Sequence, residues 1–284
     1  MKLLHPLLFC AGAACLSACD DGRITLSVTD APIDFADEVV VQFAGVAFER
    51  DDGSRDVIEF DSPLRIDLSR LTGEVSRVLV DSQPLPAAGY RAIEFSVDGN
   101  SQTTDTSYVL LSDGRRLPLY VPDAFEDDLR VVADFIIEEE ETVSATVDFD
   151  LRRSIVIVDD VRAELRPSLR FILDDDASSV TGTVSESLLR SPCVPAIYLY
   201  EGSDVQPDDV GGAGEEPVSS AIVTTEAGSG TRRYTIGFLE PGDYTLALTC
   251  EADLDEPDGN DDIDFVRTRD IELRAGRRET ANIQ

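Results

Sequence analysis

Apolar residues recur at every second position through most of this chain, and that period excludes a helical protein. Ile24, Leu26 and Val28 alternate with Thr25, Ser27 and Thr29, and Ile93, Phe95 and Val97 alternate with Glu94 and Ser96. Val131, Ala133, Phe135 and Ile137 enclose Val132, Asp134 and Ile136. Val143, Ala145, Val147, Phe149 and Leu151 alternate with Thr142, Ser144, Thr146, Asp148 and Asp150. Period two sends successive side chains to opposite faces, so each run reads as a strand with one buried face. No stretch sustains a helical repeat. The pattern predicts an all-β chain of two sandwich domains in tandem.

Local punctuation fills in the order. Tyr108–Val121 reads as a hairpin turning at Asp113-Gly114. Near Pro32, Asp30 is placed to cap a short helical turn, and Ser69–Val75 offers another. The run Glu138–Glu141 falls between two strong strand patterns and reads as a solvated hairpin tip. The chain turns polar at Leu173–Ser179, which places a boundary between one domain at 24–174 and a second at 179–284. In the second domain a long loop runs from Ser203 to Pro217, and Pro241-Gly242 fits a type II turn between strands. Tyr244, Leu246, Leu248 and Cys250 share one face, so Cys250 is expected to point inward.

The start of the chain gives an address. Residues 1–18 have the layout of a secretory signal, with Lys2 ahead of an apolar core too short to span a bilayer. Leu16-Ser17-Ala18-Cys19 resembles the bacterial lipobox, in which the Cys is lipidated and becomes the first mature residue. The alternative is an ordinary signal peptide that contains a Cys. The lipobox reading makes residues 19–23 a lipidated Cys19 and a short tether, and more than one acyl chain gives stable anchoring. The expected location is the bacterial cell envelope; the periplasmic face of the inner membrane and the outer membrane both remain open.

Composition removes whole classes of chemistry. The 284 residues carry 57 acidic against 24 basic side chains, a formal net charge of −33. Nucleic acid needs cationic groups to neutralise phosphates, and anionic lipid likewise attracts basic segments, so neither is an expected electrostatic partner. The single His is His5, Lys2 is the only Lys, and Trp is absent. Once the signal is lost, no Ser-His or Cys-His nucleophile, His-based zinc or haem site, or Schiff base is available. Carboxylate chemistry and hard-cation binding by oxygen remain. Of the five Cys, three survive cleavage, and Cys193 and Cys250 form one possible pair. In an exported protein a disulfide is the default reading, with buried free thiols as the alternative.

Five ordered motifs carry a family resemblance: Leu26–Pro32, Ile66–Gly73, Leu85–Asp98, Ala145–Val156 and Leu165–Ile172. Together they resemble domain of unknown function 4382, found in prokaryotic envelope lipoproteins, over about residues 22–173. The resemblance implies an exported β-rich domain and assigns no activity and no functional residues. The second half, through Gly182-Thr183-Val184, Ala196–Tyr200 and Phe238–Leu248, resembles a transthyretin-like or carboxypeptidase-regulatory-like sandwich. The expected folds are therefore of immunoglobulin-like or prealbumin-like type. Fold analogy does not fix function.

Carboxylate-rich stretches are the candidate sites. Cys250–Phe265 packs eight acidic residues around a Pro, a Gly and an Asn. Asp253, Asp255, Asp258, Asn260, Asp262 and Asp264 could supply the oxygens that calcium needs, although no EF-hand register fits. The alternative is a solvated acidic loop. Asp148 and Asp150 lie on one side of their strand, where they could bind a cation or flank a glycosidic bond; facing solvent or pairing with Arg152 or Arg153 is the plainer reading. Gly211–Glu216 is glycine-rich but lacks the strand-to-helix setting of a phosphate loop. The expectation is a lipid-anchored, non-enzymatic binding or structural module, with calcium as its candidate ion. Its membrane contact would be the lipid alone, and its partner a protein or glycan. The alternative is a carboxylate-dependent protein that binds or hydrolyses glycans.

Overall fold

The computed structural model describes residues 21–284, so the expected signal at residues 1–18 and Cys19 lie outside the described residues. Strands dominate. The first twelve are β1 (Asp21–Ala31), β2 (Ala36–Arg50), β3 (Arg55–Asp67), β4 (Arg77–Pro86), β5 (Ala88–Asp98), β6 (Tyr108–Leu111), β7 (Arg116–Tyr120), β8 (Arg130–Ile137), β9 (Thr142–Asp150), β10 (Ile155–Val158), β11 (Arg162–Leu165) and β12 (Leu169–Leu173). A single helical turn, α1 (Leu151–Ser154), separates β9 from β10. The last eight are β13 (Ser178–Thr183), β14 (Ala196–Glu201), β15 (Ser219–Ile222), β16 (Thr224–Thr225), β17 (Arg232–Leu239), β18 (Gly242–Thr249), β19 (Phe265–Leu273) and β20 (Arg278–Thr280). Among the described residues no helix is long and apolar enough to cross a membrane.

The first twelve strands form two sheets. One has the order β12-β9-β1-β4, and the other runs β10-β11-β7-β6-β2-β5-β8 with β3 also paired to β2. Ile24, Leu26 and Val28 meet Ala145, Val147 and Phe149 in one apolar core, with Phe43 and Phe95 coming from the facing sheet. The Phe149 ring lies edge-on to Phe43 at 5.5 Å and to Phe95 at 5.1 Å. Such T-shaped contacts add to the burial of large rings. The last eight strands form sheets β16-β17-β13-β20 and β15-β14-β18-β19 around a second core that includes Ile197, Leu199, Tyr234, Leu246 and Leu248.

Much of the alternation is realised. In β8, Val131, Ala133, Phe135 and Ile137 are buried while Val132, Asp134 and Ile136 are exposed. The β6–β7 hairpin turns at Asp113-Gly114, where Gly114 has φ +87°. A 3-10 turn occupies Leu68–Arg70, overlapping only the first two residues of the expected Ser69–Val75 region. Cys193 and Cys250 are joined by a disulfide.

Four local expectations are corrected. β1 begins at Asp21 rather than Ile24, so residues 21–23 are strand and not tether. Asp30 lies inside β1 and starts no helix; its Oδ1 instead accepts the Leu151 backbone N–H of α1, 121 positions away. Glu138–Glu141 is exposed as expected but is no hairpin tip, because β8 pairs with β5 and β9 pairs with β1 and β12, in different sheets. The run carries the chain from one sheet to the other. Finally, β1 and β9 are buried on both faces near their C-terminal ends: Ser27, Thr29, Asp30, Thr146, Asp148 and Asp150 are all buried.

That double burial comes in part from segments of the same sandwich, such as Leu71 and Val75 over Thr29, and in part from a seam between the sandwiches. Gly73 and Gly237 bring the two backbones so close that a Cβ on Gly237 would collide with the Gly73 carbonyl oxygen. Beside them Glu74 accepts from the Ser179 hydroxyl and pairs with Arg278. Arg170 bridges the Asp148 carboxylate (2.6 Å) and the Phe238 carbonyl (2.9 Å). Some polar positions that alternation assigns to solvent are therefore used for packing against the other sandwich.

Candidate functional site

The site grows from a strand with two buried faces. Ala196, Ile197, Tyr198, Leu199 and Tyr200 of β14 are all fully buried. Ile197 and Leu199 enter the second core; Ala196, Tyr198 and Tyr200 point the other way, into a separate cluster with Val210, Ala247 and Ala252. Two loops cover that outer face: residues 202–218 between β14 and β15, and residues 250–264 between β18 and β19. The disulfide holds Cys250, the first residue of the second loop. Phe265 closes the far end, with its ring 5.8 Å from Tyr198 and 6.2 Å from Tyr200.

Buried tyrosines need partners for their hydroxyls, and the loops supply them. Tyr198 donates to Oδ2 of Asp255, and Tyr200 donates to the Asp208 carbonyl. Asp255 Oδ1 accepts the Val210 N–H at 3.1 Å, and Asp209 Oδ2 accepts the Asp261 N–H, so each loop is pinned by a carboxylate of the other. Ala213 N–H also donates to Asn260 Oδ1 at 3.1 Å. Oxygens of Asp209, Asp255 and Asp261 lie within 4.8 Å of one another. Burial pushes the Asp255 carboxyl up to about 6, with the Tyr198 hydroxyl and Arg152 acting against it. Burial raises Asp209 as well.

Of the six oxygen donors marked in Cys250–Phe265, only Asp255 belongs to this convergence. Asp253, Asp258, Asn260, Asp262 and Asp264 are exposed. Asp258 lies 3.7 Å from Arg166 of the first sandwich. The second ligand-type residue of the same loop is Asp261, and the third, Asp209, comes from the other loop. Sequence spacing within one loop could not reveal a partner 46 positions away. A usable signal was present, however. The unbroken apolar run Ala196–Tyr200 requires cover on both faces, and the long loops are the only unassigned material near it.

Arg152 joins this site to the first sandwich. It is buried, donates to the Ala252 carbonyl at 3.0 Å, reaches Asp34 at 3.4 Å and lies over the Tyr198 ring. On its other side are Asp148 and Asp150. Neither faces solvent: Asp148 pairs with Arg170 rather than Arg152 or Arg153, and Asp150 caps α1 by accepting the Arg153 N–H at 3.2 Å. Burial, then Asp148, pushes the Asp150 carboxyl up to about 7. Burial, then Asp148 and Asp150, holds Asp30 well above the ordinary carboxylate range. These three carboxylates sit inside the seam, out of reach of a polymeric substrate.

A cleft of about 530 Å³ opens beside Arg152 between the sandwiches. Phe35, Ile155, Ile157 and Pro257 give it an apolar lining, while Asp34, Asp113 and Asp160 on one wall and Asp255, Glu256 and Asp258 on the other make it acidic. Arg115 is its one basic lining residue.

The architecture is that of an all-β protein of paired sandwiches, with its candidate sites on loops and at the seam. The family follows from the first sandwich: residues 21–167 match the family described as Domain of unknown function (DUF4382), and the chain belongs to that family. No curated protein matches the chain. Solved structures with some likeness include the TIE protein of Bacillus anthracis, at 10% identity and a TM-score of 0.22. That match covers 93% of this chain but only 34% of the TIE protein, so the chain spans about a third of its length. The minor pilin GBS52 of Streptococcus agalactiae matches at 10% identity and a TM-score of 0.20, covering 91% of this chain and 94% of the pilin. The fimbrial anchor protein Mfa2 of Porphyromonas gingivalis matches at 14% identity and a TM-score of 0.21, covering 88% and 82%. Similarity at these scores carries no functional argument.

Proposed function

We propose that this chain is a lipid-anchored cell-envelope protein acting as a non-enzymatic binding module, with the cleft beside Arg152 as its binding surface. The observation that supports this reading is the character of the cleft. Its lining combines apolar side chains with carboxylates from both sandwiches, which suits a protein segment carrying aliphatic and basic side chains. The lipobox-like Leu16–Cys19 supports the anchor. The transthyretin-like rhythm of the second sandwich supports a binding or structural role over catalysis.

The test is a fluorescence-anisotropy titration of the full chain with labelled peptides rich in Leu and Arg, against Leu-Glu peptides of equal length. Basic peptides are expected to bind, more weakly at high salt. Replacing Asp160→Asn and Glu256→Gln together, one exposed carboxylate on each wall, should weaken binding about tenfold. Equal binding of both peptide types overturns the reading. Cys19→Ser should move the protein from the membrane to the soluble fraction.

A second reading, glycan binding or hydrolysis by carboxylates, is favoured by one observation: the two walls place carboxylates opposite each other. Release of reducing sugar from an envelope polysaccharide, lost in Asp34→Asn, would install that reading in place of the first.

A further inference from the structure

The three converging carboxylates of the loop pair have a feature that packing does not explain. Asp209 is buried, 1% exposed, and its Oδ1 has no hydrogen-bond partner. A buried carboxylate oxygen left unsatisfied is costly, and native structures pair such groups with a donor or a metal. None of Asp209, Asp255 or Asp261 forms an ion pair within 4 Å among the described residues. The nearby guanidinium of Arg152 is committed to Asp34 and the Ala252 carbonyl.

The chain around the cluster is shaped for close approach of oxygen atoms. A Cβ on Gly212 would collide with Oδ1 of Asp209, and one on Gly214 with Oδ2 of Asp208. Gly211, at φ +82°, brings its backbone against the carbonyl oxygens of Pro257 and Gly259. The glycine-rich stretch that fails as a phosphate loop is thus the part of the structure that lets one loop close over the carboxylates of the other.

We infer that Asp209, Asp255 and Asp261 bind a calcium ion that locks the two loops together. The donors are all oxygen. Among the described residues there is no His, and both Cys are consumed in the disulfide, so soft and borderline metals have no ligands here. Calcium accepts irregular sets of six to eight oxygens, and three carboxylates leave places for backbone carbonyls and water. Magnesium requires a near-ideal octahedron, which two irregular loops are poorly suited to provide. The site does not depend on the cleft having a peptide ligand, and its test does not use one.

Terbium(III) is a suitable probe, since it takes calcium-type sites and is sensitised by a neighbouring aromatic ring. The chain has no Trp, so excitation reports Tyr alone, and Tyr198 is hydrogen-bonded to Asp255. The full chain in detergent should give tyrosine-sensitised terbium emission that calcium displaces at least tenfold more effectively than magnesium at matched ionic strength. Asp209→Asn and the half-buried, better tolerated Asp261→Asn should each weaken terbium binding at least tenfold, with folding verified by circular dichroism. Asp264→Asn, exposed on the same loop and outside the cleft, should leave it unchanged. Emission that is absent, that magnesium displaces equally, or that all three variants retain would overturn the site and leave only diffuse attraction to an acidic surface.

Discussion

The guanidinium carbon of Arg152 lies 5.5 Å from the centroid of the Tyr198 ring, which puts a cation from α1 of the first sandwich inside the second. The same side chain reaches Asp34 and the Ala252 carbonyl. Burial disfavours its charge, while Tyr198, Asp34, Asp255 and Asp150 favour it. Arg152→Ala would leave buried carboxylates without their cation, and removing one partner of a buried pair costs about 3–5 kcal/mol. Arg152→Lys should recover only part, because an ammonium lacks the planar fork that spans a carbonyl, a carboxylate and a ring. Urea denaturation should show the loss, and in Arg152→Ala the two sandwiches should unfold in separate transitions.

Asp150 sets a pH dependence. Its carboxyl ordinarily titrates near 3.8 and is pushed up to about 7 here. Between those values the folded protein holds a proton that the unfolded chain has released, so stability falls as pH rises through that window. Asp148, Asp30, Arg152 and Arg153 are the charged neighbours. Asp150→Asn keeps an N-cap oxygen and mimics the protonated acid. It should gain up to about 4 kcal/mol over the native protein at pH 8 and nothing at pH 4. Denaturation midpoints at the two pH values check this. A smaller slope of the same sign will persist, because Asp30, Asp209 and Asp255 are also raised.

Gly237 faces the Gly73 carbonyl across the seam with no space for a side chain. Gly237→Ala is expected to force the backbones apart at a cost of about 1–3 kcal/mol, the usual range for overpacking. Thermal unfolding measures the loss, and increased hydrogen exchange should appear in both Leu71–Val75 and β17.

The disulfide closes a loop with a sequence separation of 57. Loop-closure entropy predicts that replacing both Cys193 and Cys250 by Ser destabilises the chain by about 4 kcal/mol. Limited proteolysis should then cut first within residues 250–264, whose N-terminal end the disulfide holds.

How much of this could be read from sequence depends on whether a contact is local. The alternation in β8, the Asp113-Gly114 turn and the 3-10 turn near Ser69 are decided by neighbouring residues, and there expectation and structure agree. The polar faces of β1 and β9 are a different matter. Thr29 and Asp148 occupy positions that alternation assigns to solvent, yet Thr29 is covered by the Leu71 and Val75 carbonyls of its own sandwich, and Asp148 by Arg170, which also reaches Phe238 of the second. The same holds for the loop carboxylates. Asp255 was visible in an acidic stretch, but its association with Asp209 exists only because Tyr198 and Tyr200 require a cover that both loops provide.

β1 runs between two neighbours along its length, parallel to β9 from Arg23–Thr142 to Ala31–Asp150 and antiparallel to β4 from Asp21–Pro86 to Val28–Arg77. Tension applied along this strand from its N-terminal end would load both ladders in shear, so many hydrogen bonds would have to yield together rather than peel one at a time. Held by that end, the chain would meet pulling with both ladders at once.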